Sequence, residues 1–425
     1  MSKILLGLGL GFLGFLIYTL NTHLLRLILS IKHRFDGTNS KPCNCQELAH
    51  TKNDVIKIGL LTNELSPWCV YGGVATWICS FINMFKNNKK YIIIPIFLAY
   101  NDDLPKEAFD KYPNLRIIYT PSDISKCFCD IDICVNNLWI SLDTIIKIKE
   151  CYPKISIVSV CHSLIRMEHI TNMGSQYTNN FNDQEITFQH SDWVILISNA
   201  EKKYYDTFGY DKFKANTQVI YNSYTPKYDE VSFDVDYTNN NIGYIGRHVP
   251  RKRPELPLKA VEYLKNTSLT VYNMGVDYDK YDNAYWRKLE KEYYKNLKII
   301  PFTTDKKVKQ QFLNNIGIAC VPGIYEPFGY TGCEMADAGF PIIVQNIDGP
   351  KEIFEGFEDN VYFYEVDIDN YNQDIINFSK VLEKVLEIPP DIRELNAIKA
   401  RKALDRFRPE IISQEWIGLF SEITT

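Results

Sequence analysis

GIYEPFGYTGCEMADAGFP, residues 323–341, is the most informative segment of the chain. Apolar runs lie directly before it, at residues 316–321, and directly after it, at residues 342–344. Two short apolar runs around a loop and a helix-forming stretch indicate a βαβ unit of a parallel sheet. Such sheets bind ligands outside the carboxyl ends of their strands. We therefore expect the loop at residues 322–331 to lie in a ligand crevice, with the N-terminus of the next helix directed into it.

The same alternation of apolar runs and helix-forming stretches extends over most of the chain after residue 54. It predicts an α/β protein with two open sheets of Rossmann type. A polar segment without apolar periodicity, residues 226–240, separates them and is interpreted as a hinge. The N-terminal domain then covers residues 55–225 and the C-terminal domain residues 241–400, before a last helical segment at residues 401–425. The predicted strands are residues 56–61, 91–97, 115–119, 133–137, 155–161, 194–198, 218–221, 241–246, 269–274, 297–302, 316–321, 342–347 and 361–364.

The composition is that of a globular protein, with 45% hydrophobic and 23% charged residues among 425. A chain of this length exceeds one ordinary core, which favours two domains. The net charge of −5 provides no basic field, so nucleic acid is not expected as a partner. The eleven cysteines include CxC pairs at residues 43/45 and 127/129, but no matching pair or His cluster completes a zinc site, which indicates free thiols in a reducing compartment.

Residues 4–20 are apolar or Gly apart from Tyr18 and Thr19, and the apolar character resumes at residues 24–31, so residues 4–25 are a candidate transmembrane helix. No small-x-small cleavage site follows, so a signal anchor is favoured over a cleaved signal peptide. Three Arg or Lys side chains follow the span closely, whereas Lys3 alone precedes it. By the positive-inside tendency this places the catalytic part of a single-pass membrane protein in the cytosol. We expect residues 1–31 to form a membrane anchor and residues 32–54 a linker.

Three places in the N-terminal domain have residue types suited to a ligand or to a helix end. Gly72 and Gly73 precede a predicted helix, where backbone amides can approach a phosphate or a sugar closely; a plain turn is the alternative. His162 follows a predicted strand, where a neutral imidazole can hydrogen-bond a sugar hydroxyl, although a loop-capping role fits nearly as well. Ser198 is predicted to cap the helix that begins after it.

The C-terminal domain contributes basic and acidic groups. Residues 246–252 read GRHVPRK and follow a predicted strand. The forked guanidinium of Arg247 and the ammonium point charge of Lys252 are suited to binding phosphate oxygens. The alternative is that this segment is a solvated turn. Glu326 and Glu334 can each accept paired hydrogen bonds from vicinal hydroxyls, as in ribose and hexoses. The amides of residues 329–331, at a helix N-terminus, suit a diphosphate.

Three Asp-x-Asp pairs, at residues 130/132, 234/236 and 367/369, are of a type that can hold Mg²⁺ or Mn²⁺. The first opens a strand, the second lies in the predicted hinge, and the third follows a late strand. These positions do not favour a metal-binding role, so no metal site is predicted.

Taken together, these residues resemble the GT-B glycosyltransferases, specifically glycosyltransferase family 4 (glycosyl transferases group 1), from about residue 56 to the C-terminus. The most specific match is the E-x7-E motif from Glu326 to Glu334, which continues to Pro341. The supporting matches are Gly72-Gly73, Val-Cys-His162, Gly246-Arg247 followed by Lys252, and the turn DGPKE at residues 348–352.

The resemblance implies retaining transfer of a sugar from a nucleotide-sugar donor to a glycan, lipid-linked or protein acceptor. Arg247 and Lys252 would stabilise the leaving diphosphate, while Glu326 would bind the donor sugar and Glu334 the ribose. The other implied site residues are His162 as a catalytic residue and Gly72, Gly73, Phe328, Gly329, Tyr330 and Thr331 as donor-binding residues. No metal and no cofactor is implied besides the donor substrate, and residues 401–425 would pack back across the first domain.

Three positions depart from the family pattern. Arg253 stands where Gly is usual, Ser163 where an acidic residue often follows the His, and Asp337 where Ala is usual. They leave the implied contact residues in place, but the sugar is left unassigned. The alternatives that remain open are a GT-B nucleotide-sugar epimerase, a non-catalytic membrane-tethered protein that binds sugar nucleotides, and a metal-dependent transferase that uses an Asp-x-Asp pair.

Overall fold

The computed structural model describes part of the chain, and the predicted membrane anchor (residues 1–31) and linker (residues 32–54) lie outside it. No helix within the described part combines the length and the apolarity that a bilayer crossing requires. The described residues are 55–68, 72–99, 104–137, 142–172, 180–227, 234–276, 283–293, 295–301, 303 and 305–425.

Thirteen strands in the described residues form two parallel sheets, and each of the thirteen predicted strands overlaps one of them. The first sheet contains β1 (Ile56–Thr62), β2 (Tyr91–Leu98), β3 (Arg116–Ile118), β4 (Ile133–Asn136), β5 (Ser156–Cys161), β6 (Trp193–Leu196) and β7 (Asn216–Val219). The second contains β8 (Ile242–Ile245), β9 (Val271–Val276), β10 (Leu297–Pro301), β11 (Ile318–Val321), β12 (Ile342–Gln345) and β13 (Tyr362–Tyr364). The orders are 3-2-1-4-5-6-7 and 10-9-8-11-12-13, so both sheets have the doubly wound Rossmann arrangement.

Helices connect the strands. In chain order they are α1 (Gly73–Phe85), α2 (Lys106–Lys111), α3 (Ile124–Cys127), α4 (Leu142–Cys151), α5 (Ile165–Thr171), α6 (Asn180–Gln189), α7 (Asn199–Thr207), α8 (Leu256–Tyr263), α9 (Asn283–Glu292), α10 (Lys306–Asn314), α11 (Tyr330–Asp337), α12 (Asp348–Ile353), α13 (Tyr371–Glu387), α14 (Pro390–Arg401) and α15 (Pro409–Thr424). Short 3₁₀ turns occupy Pro121–Asp123, Tyr210–Lys212, Pro250–Lys252 and Lys402–Phe407.

The βαβ unit expected around residues 323–341 is confirmed. Every residue of β11 and β12 is buried, as in a parallel sheet with helices on both faces. The two strands pair in parallel from Ala319↔Ile342 to Val321↔Val344, and α11 lies between them in the chain. The loop that carries Glu326 therefore leaves the carboxyl edge of the second sheet.

The last helix, α15, packs on the first sheet's domain rather than on the second. Trp416 contacts the rings of Trp77 and Phe81 on α1, with centroid separations of 6.1 and 5.0 Å. The hydroxyl groups of Tyr91 and Ser421 lie 2.8 Å apart. Because α14 packs against α11 of the second domain, the C-terminal segment connects both halves of the protein.

Candidate functional site

The carboxyl edge of the second sheet brings two of the predicted site residues into contact. β8 leads to Lys252 and β11 leads to Glu326, and these strands are hydrogen-bonded neighbours. The ammonium of Lys252 forms an ion pair with the Glu326 carboxylate, and their side chains are only 17% and 15% exposed. Burial, together with the nearby guanidinium groups of Arg251 and Arg247, lowers the pKa of Lys252. The Glu168 carboxylate opposes this effect because it favours the charged ammonium.

The basic segment after β8 divides into cations with different surroundings. Arg247 is exposed, and its guanidinium has no ion pair or hydrogen bond to another described residue. Arg251, three per cent exposed, instead donates to Glu168 of the first domain at 2.9 Å and to the Tyr325 carbonyl at 3.1 Å. Arg247 and Lys252 are thus the cations that border the crevice, whereas Arg251 joins the two domains.

Glu334 lies one helical turn inside α11, and each of its two carboxylate oxygens interacts with the ammonium group of a lysine. Lys227 of the hinge region pairs with Oε1, and Lys309 of α10 donates to Oε2 at 3.2 Å. Burial alone would raise the pKa of Glu334, but Lys309 and Lys227 outweigh it and lower that pKa. The group is therefore a carboxylate at neutral pH and can only accept hydrogen bonds, as the binding of hydroxyl groups requires.

The loop before α11 places its predicted donor-binding residues in different surroundings. Gly329 has φ 111°, a left-handed conformation that starts the helix. Phe328 is buried in the core, so only its backbone is available to a ligand, and Thr331 is half-buried. Tyr330 crosses to the first domain, where its hydroxyl donates to the Ser223 carbonyl at 3.3 Å. A Cβ atom at Gly73 would lie 3.2 Å from the Tyr330 ring, so these two predicted residues are neighbours across the cleft.

The N-terminus of α1 carries an acidic residue that the sequence analysis missed. The Ala75 amide donates to Glu64 Oε2 at 3.1 Å, and Glu64 is buried. Gly72 is the residue before the helix and is exposed with Gly73. A carboxylate here repels a phosphate, so of the two ligands considered the Gly72–Gly73 edge fits a sugar hydroxyl. Glu64 could have been found from the sequence, because an acidic residue follows directly after β1 and its turn.

His162 lies at the carboxyl end of β5, beside the side-chain oxygen of Asn137. Its ring packs edge-on against Trp77 at a centroid distance of 4.9 Å. Loss of hydration in this position lowers the pKa of His162 to about 3. The imidazole is therefore neutral at physiological pH and suited to hydrogen bonding rather than to ionic contact with a phosphate.

The depressed pKa of His162 gives a pH dependence of stability. The unfolded state, with a pKa near 6.5, binds more protons than the folded state at mildly acidic pH, so the free energy of unfolding falls as pH decreases from about 6.5. We expect His162→Gln to reduce this slope by on the order of 1 kcal/mol per pH unit, measured by urea unfolding between about pH 6.5 and about pH 4.5. The same change at the exposed His190 is the control. Equal slopes in wild type and His162→Gln would contradict the assignment.

Hydrogen bonds across the domain boundary fix the position of the residues that form the wall of the cleft. These bonds were not predicted from the sequence. Glu352 of α12 accepts from the amides of Asn199 and Ala200 at 2.9 and 2.6 Å, at the N-terminus of α7. The Tyr325 hydroxyl accepts from the Leu164 amide at 2.9 Å, two residues after His162. No local sequence pattern indicates these contacts, because they join segments more than 150 residues apart. Ser198 caps α7 as predicted, accepting from the Glu201 amide at 3.1 Å.

Gly349 is required by the close approach of α12 to the Glu326 loop. Its amide donates to the Glu326 carbonyl at 3.0 Å, and a Cβ atom there would lie 2.2 Å from the Phe328 carbonyl oxygen. We expect Gly349→Ala to destabilise the protein by about 1–3 kcal/mol in urea unfolding, as overpacking does. Gly418→Ala on α15, where nothing lies within 4 Å, is the control and should stabilise by about 0.5–1 kcal/mol. Similar effects of both substitutions would contradict this packing.

Each departure from the family pattern has a local structural reason. Arg253 has φ 44°, the left-handed conformation in which Gly is favoured, and its guanidinium pairs with the buried Asp374. Ser163 donates from Oγ to Glu168 at 2.8 Å, so a carboxylate still lies beside this loop. Asp337 is buried and accepts hydrogen bonds from the hinge. All three changes therefore act on structure around the site.

The Asp-x-Asp pairs have local roles. Asp130 pairs with Arg116 at 2.6 Å and Lys57 at 2.7 Å, and the bond from Arg116 is the main cause that lowers its pKa to about 2. In the pairs at residues 234/236 and 367/369, Asp236 and Asp367 accept hydrogen bonds from amides of their own turns. Over the described residues, no three His, Cys, Asp or Glu side chains are grouped so that they could hold a metal ion, and the cysteines there are free thiols.

Part of the chain matches a known protein family in sequence. Residues 230–387 match the family described as Glycosyl transferases group 1. This region contains Arg247, Lys252, Glu326 and Glu334, and it is less than half of the chain. No curated protein sequence matches the chain.

Solved structures similar to the protein show its fold. A sucrose-phosphate synthase from Thermosynechococcus elongatus superposes with a TM-score of 0.68 at 16% identity, over 87% of this chain and 99% of that one. HepE of Anabaena, in a complex with UDP and glucose, gives 0.63 at 16% identity over 86% and 99%. The lipopolysaccharide outer core galactosyltransferase WaaB gives 0.60 at 17% identity over 86% and 100%. The expected GT-B arrangement of two Rossmann-like sheets is thereby confirmed.

Proposed function

We propose that the protein is a glycosyltransferase of family 4 that moves a sugar from a nucleotide-sugar donor to an acceptor with retention of anomeric configuration. The observation that carries the proposal is the Lys252–Glu326 ion pair, which lies beside Arg247 at the carboxyl edge of the second sheet. It places cations for a diphosphate next to a carboxylate for sugar hydroxyls. His162 and Gly73 form the opposite wall of the cleft.

The chemical roles follow from charge and hydrogen-bonding capacity. As the bond from the anomeric carbon to the phosphate oxygen breaks, Arg247 and Lys252 stabilise the negative charge that develops on the diphosphate. Glu326 accepts hydrogen bonds from the donor sugar, and Glu334 accepts them from the ribose diol. The acceptor oxygen bonds to the same face of the anomeric carbon, and its proton passes to the departing phosphate. This route needs no nucleophile, metal or cofactor from the protein.

The location and the acceptor are part of the same proposal. Residues 1–31 anchor the protein in a membrane by a single span, with the catalytic domains in the cytosol, and the acceptor is a glycan, a lipid-linked sugar or a protein. When protease is added to sealed membrane vesicles whose cytosolic face is outward, it should then remove the catalytic domains. Their survival in intact vesicles would contradict a cytosolic position.

The test of the activity is a screen of nucleotide sugars with the purified full-length protein. UDP-glucose is the first donor to use, since a structure of HepE was solved with it. We expect release of the nucleoside diphosphate, increased by the right acceptor and unaffected by EDTA. Conversion of the donor sugar without an acceptor would instead show an epimerase. Tight binding without turnover would show a binding protein, and loss of turnover in EDTA would show a metal-dependent enzyme.

A further inference from the structure

Lys227, in the hinge region, contacts the helix that carries the second half of the E-x7-E motif. Its backbone amide donates a hydrogen bond of 2.6 Å to Asp337 Oδ2, and its ammonium pairs with the carboxylate of Glu334. Glu334 and Asp337 are three positions apart on α11, so they lie on one face of that helix. A single helix face therefore holds Lys227 by both its main chain and its side chain.

Asp337 is the fixed part of this arrangement. Its side chain is fully buried, and its two oxygens accept hydrogen bonds from three residues of the chain. Oδ2 receives the Lys227 amide and the Tyr224 hydroxyl, the latter at 3.0 Å, and Oδ1 receives the Arg401 guanidinium at 3.1 and 3.2 Å. A buried carboxylate with this many donors has little freedom to move, so it determines where the Lys227 backbone lies.

The exposed side of the Lys227–Glu334 pair has hydrogen-bonding capacity left for a ligand. A carboxylate offers about four acceptor positions, and the two lysines at Glu334 take two of them. An ammonium has three N–H donors, and Lys227 uses one of them on Glu334. The Lys227 side chain is 47% exposed, so the remaining donors face solvent. With Lys309, the two ammonium groups and one carboxylate sum to a charge of +1.

We infer that Lys227 is a further nucleotide-binding residue of the donor site and that Asp337 is its positioning residue. This inference rests on the proposed function. The ribose hydroxyls of a nucleoside diphosphate donate to the carboxylate of Glu334, and the Lys227 ammonium donates to the phosphate of the same molecule. The hinge thus contributes a cation to the donor site in addition to Arg247 and Lys252.

The experiment is calorimetric titration of the full-length protein with UDP, ADP, GDP and CDP. For every diphosphate that wild type binds, Lys227→Met is expected to weaken binding about tenfold, the value of one charged hydrogen bond. Lys227→Arg, which keeps the charge, should recover most of that loss. Lys147→Met is the control, because Lys147 is a partly exposed lysine of α4 that pairs with Glu150 at 3.0 Å, and its affinity should equal that of wild type.

The role of Asp337 is tested by a double-mutant cycle. Asp337→Asn should weaken binding as much as Lys227→Met, and the double variant should bind within about twofold of Lys227→Met alone. Additive losses would contradict a positioning role for Asp337. If wild type binds a diphosphate and Lys227→Met binds it equally or more tightly, the inference about Lys227 is wrong while the proposed function stands. If wild type binds none of the four, the proposed function fails and the inference fails with it.

Discussion

Substitution of Lys252 by Ala or of Glu326 by Gln is expected to lower turnover of the donor by at least about a hundredfold. The Lys252 side chain is only 17% exposed and lies within an ion pair at the crevice, where little water screens its charge, so its loss removes stabilisation of the departing diphosphate. Glu326→Gln keeps the shape of the side chain but removes the charge that accepts hydrogen bonds from the sugar and balances Lys252. The measurement is the turnover number with the donor identified in the nucleotide-sugar screen.

The two substitutions should not be additive, because the side chains are in contact and each restricts the position of the other. We expect the double variant to lie within about tenfold of the slower single variant. Lys259→Ala is the control: Lys259 pairs with Glu262 on the surface of α8 at 3.0 Å, and its turnover should match that of wild type. Turnover of Lys252→Ala within tenfold of wild type would contradict the assigned role.

The second large effect is expected on stability. Trp416→Ala should lower the free energy of unfolding by about 3–5 kcal/mol, as truncation of a buried aromatic ring does. Trp416 is 1% exposed and packs with Trp77 and Phe81, so the substitution leaves a cavity between α15 and α1. The measurement is urea unfolding of the full-length protein, followed by fluorescence and circular dichroism.

The control for this prediction lies on the same helix. Ile411 of α15 is 48% exposed, and Ile411→Ala should change stability by less than about 0.5 kcal/mol. A loss of about 1 kcal/mol or less for Trp416→Ala would contradict docking of α15 on the first domain.

Several features of the protein could be predicted because they depend on local patterns. Short apolar runs separated by helical stretches are visible in the sequence, and each predicted run overlaps a strand of the structure. The E-x7-E motif and the basic segment after β8 were found in the same way, and the order of the strands then brings Lys252 to Glu326. Family resemblance supplied the specific roles of these residues, which residue type and spacing alone did not assign.

Other features depended on contacts between distant segments. Within one basic segment, Arg251 pairs with Glu168 of the other domain, whereas Lys252 pairs with Glu326. Residue type and spacing predict all these cations equally well as phosphate ligands, because a sequence shows charge and not burial. Likewise, Asp337 was recognised only as a departure from a pattern, and its hydrogen bonds to the hinge emerge from the packing of α11.

The sequence by itself therefore determined the two parallel sheets, the crevice at their carboxyl edge and the types of residue that border it. The periodicity of apolar residues indicates directly which residues are buried. The end of a predicted strand indicates where the following loop begins. Only the tertiary structure decided which cation faces the crevice, which one joins the domains, and how the hinge meets Glu334. The physical reason is that the strength of an ion pair depends on distance and solvent access, and both arise only when segments far apart in the chain are packed together.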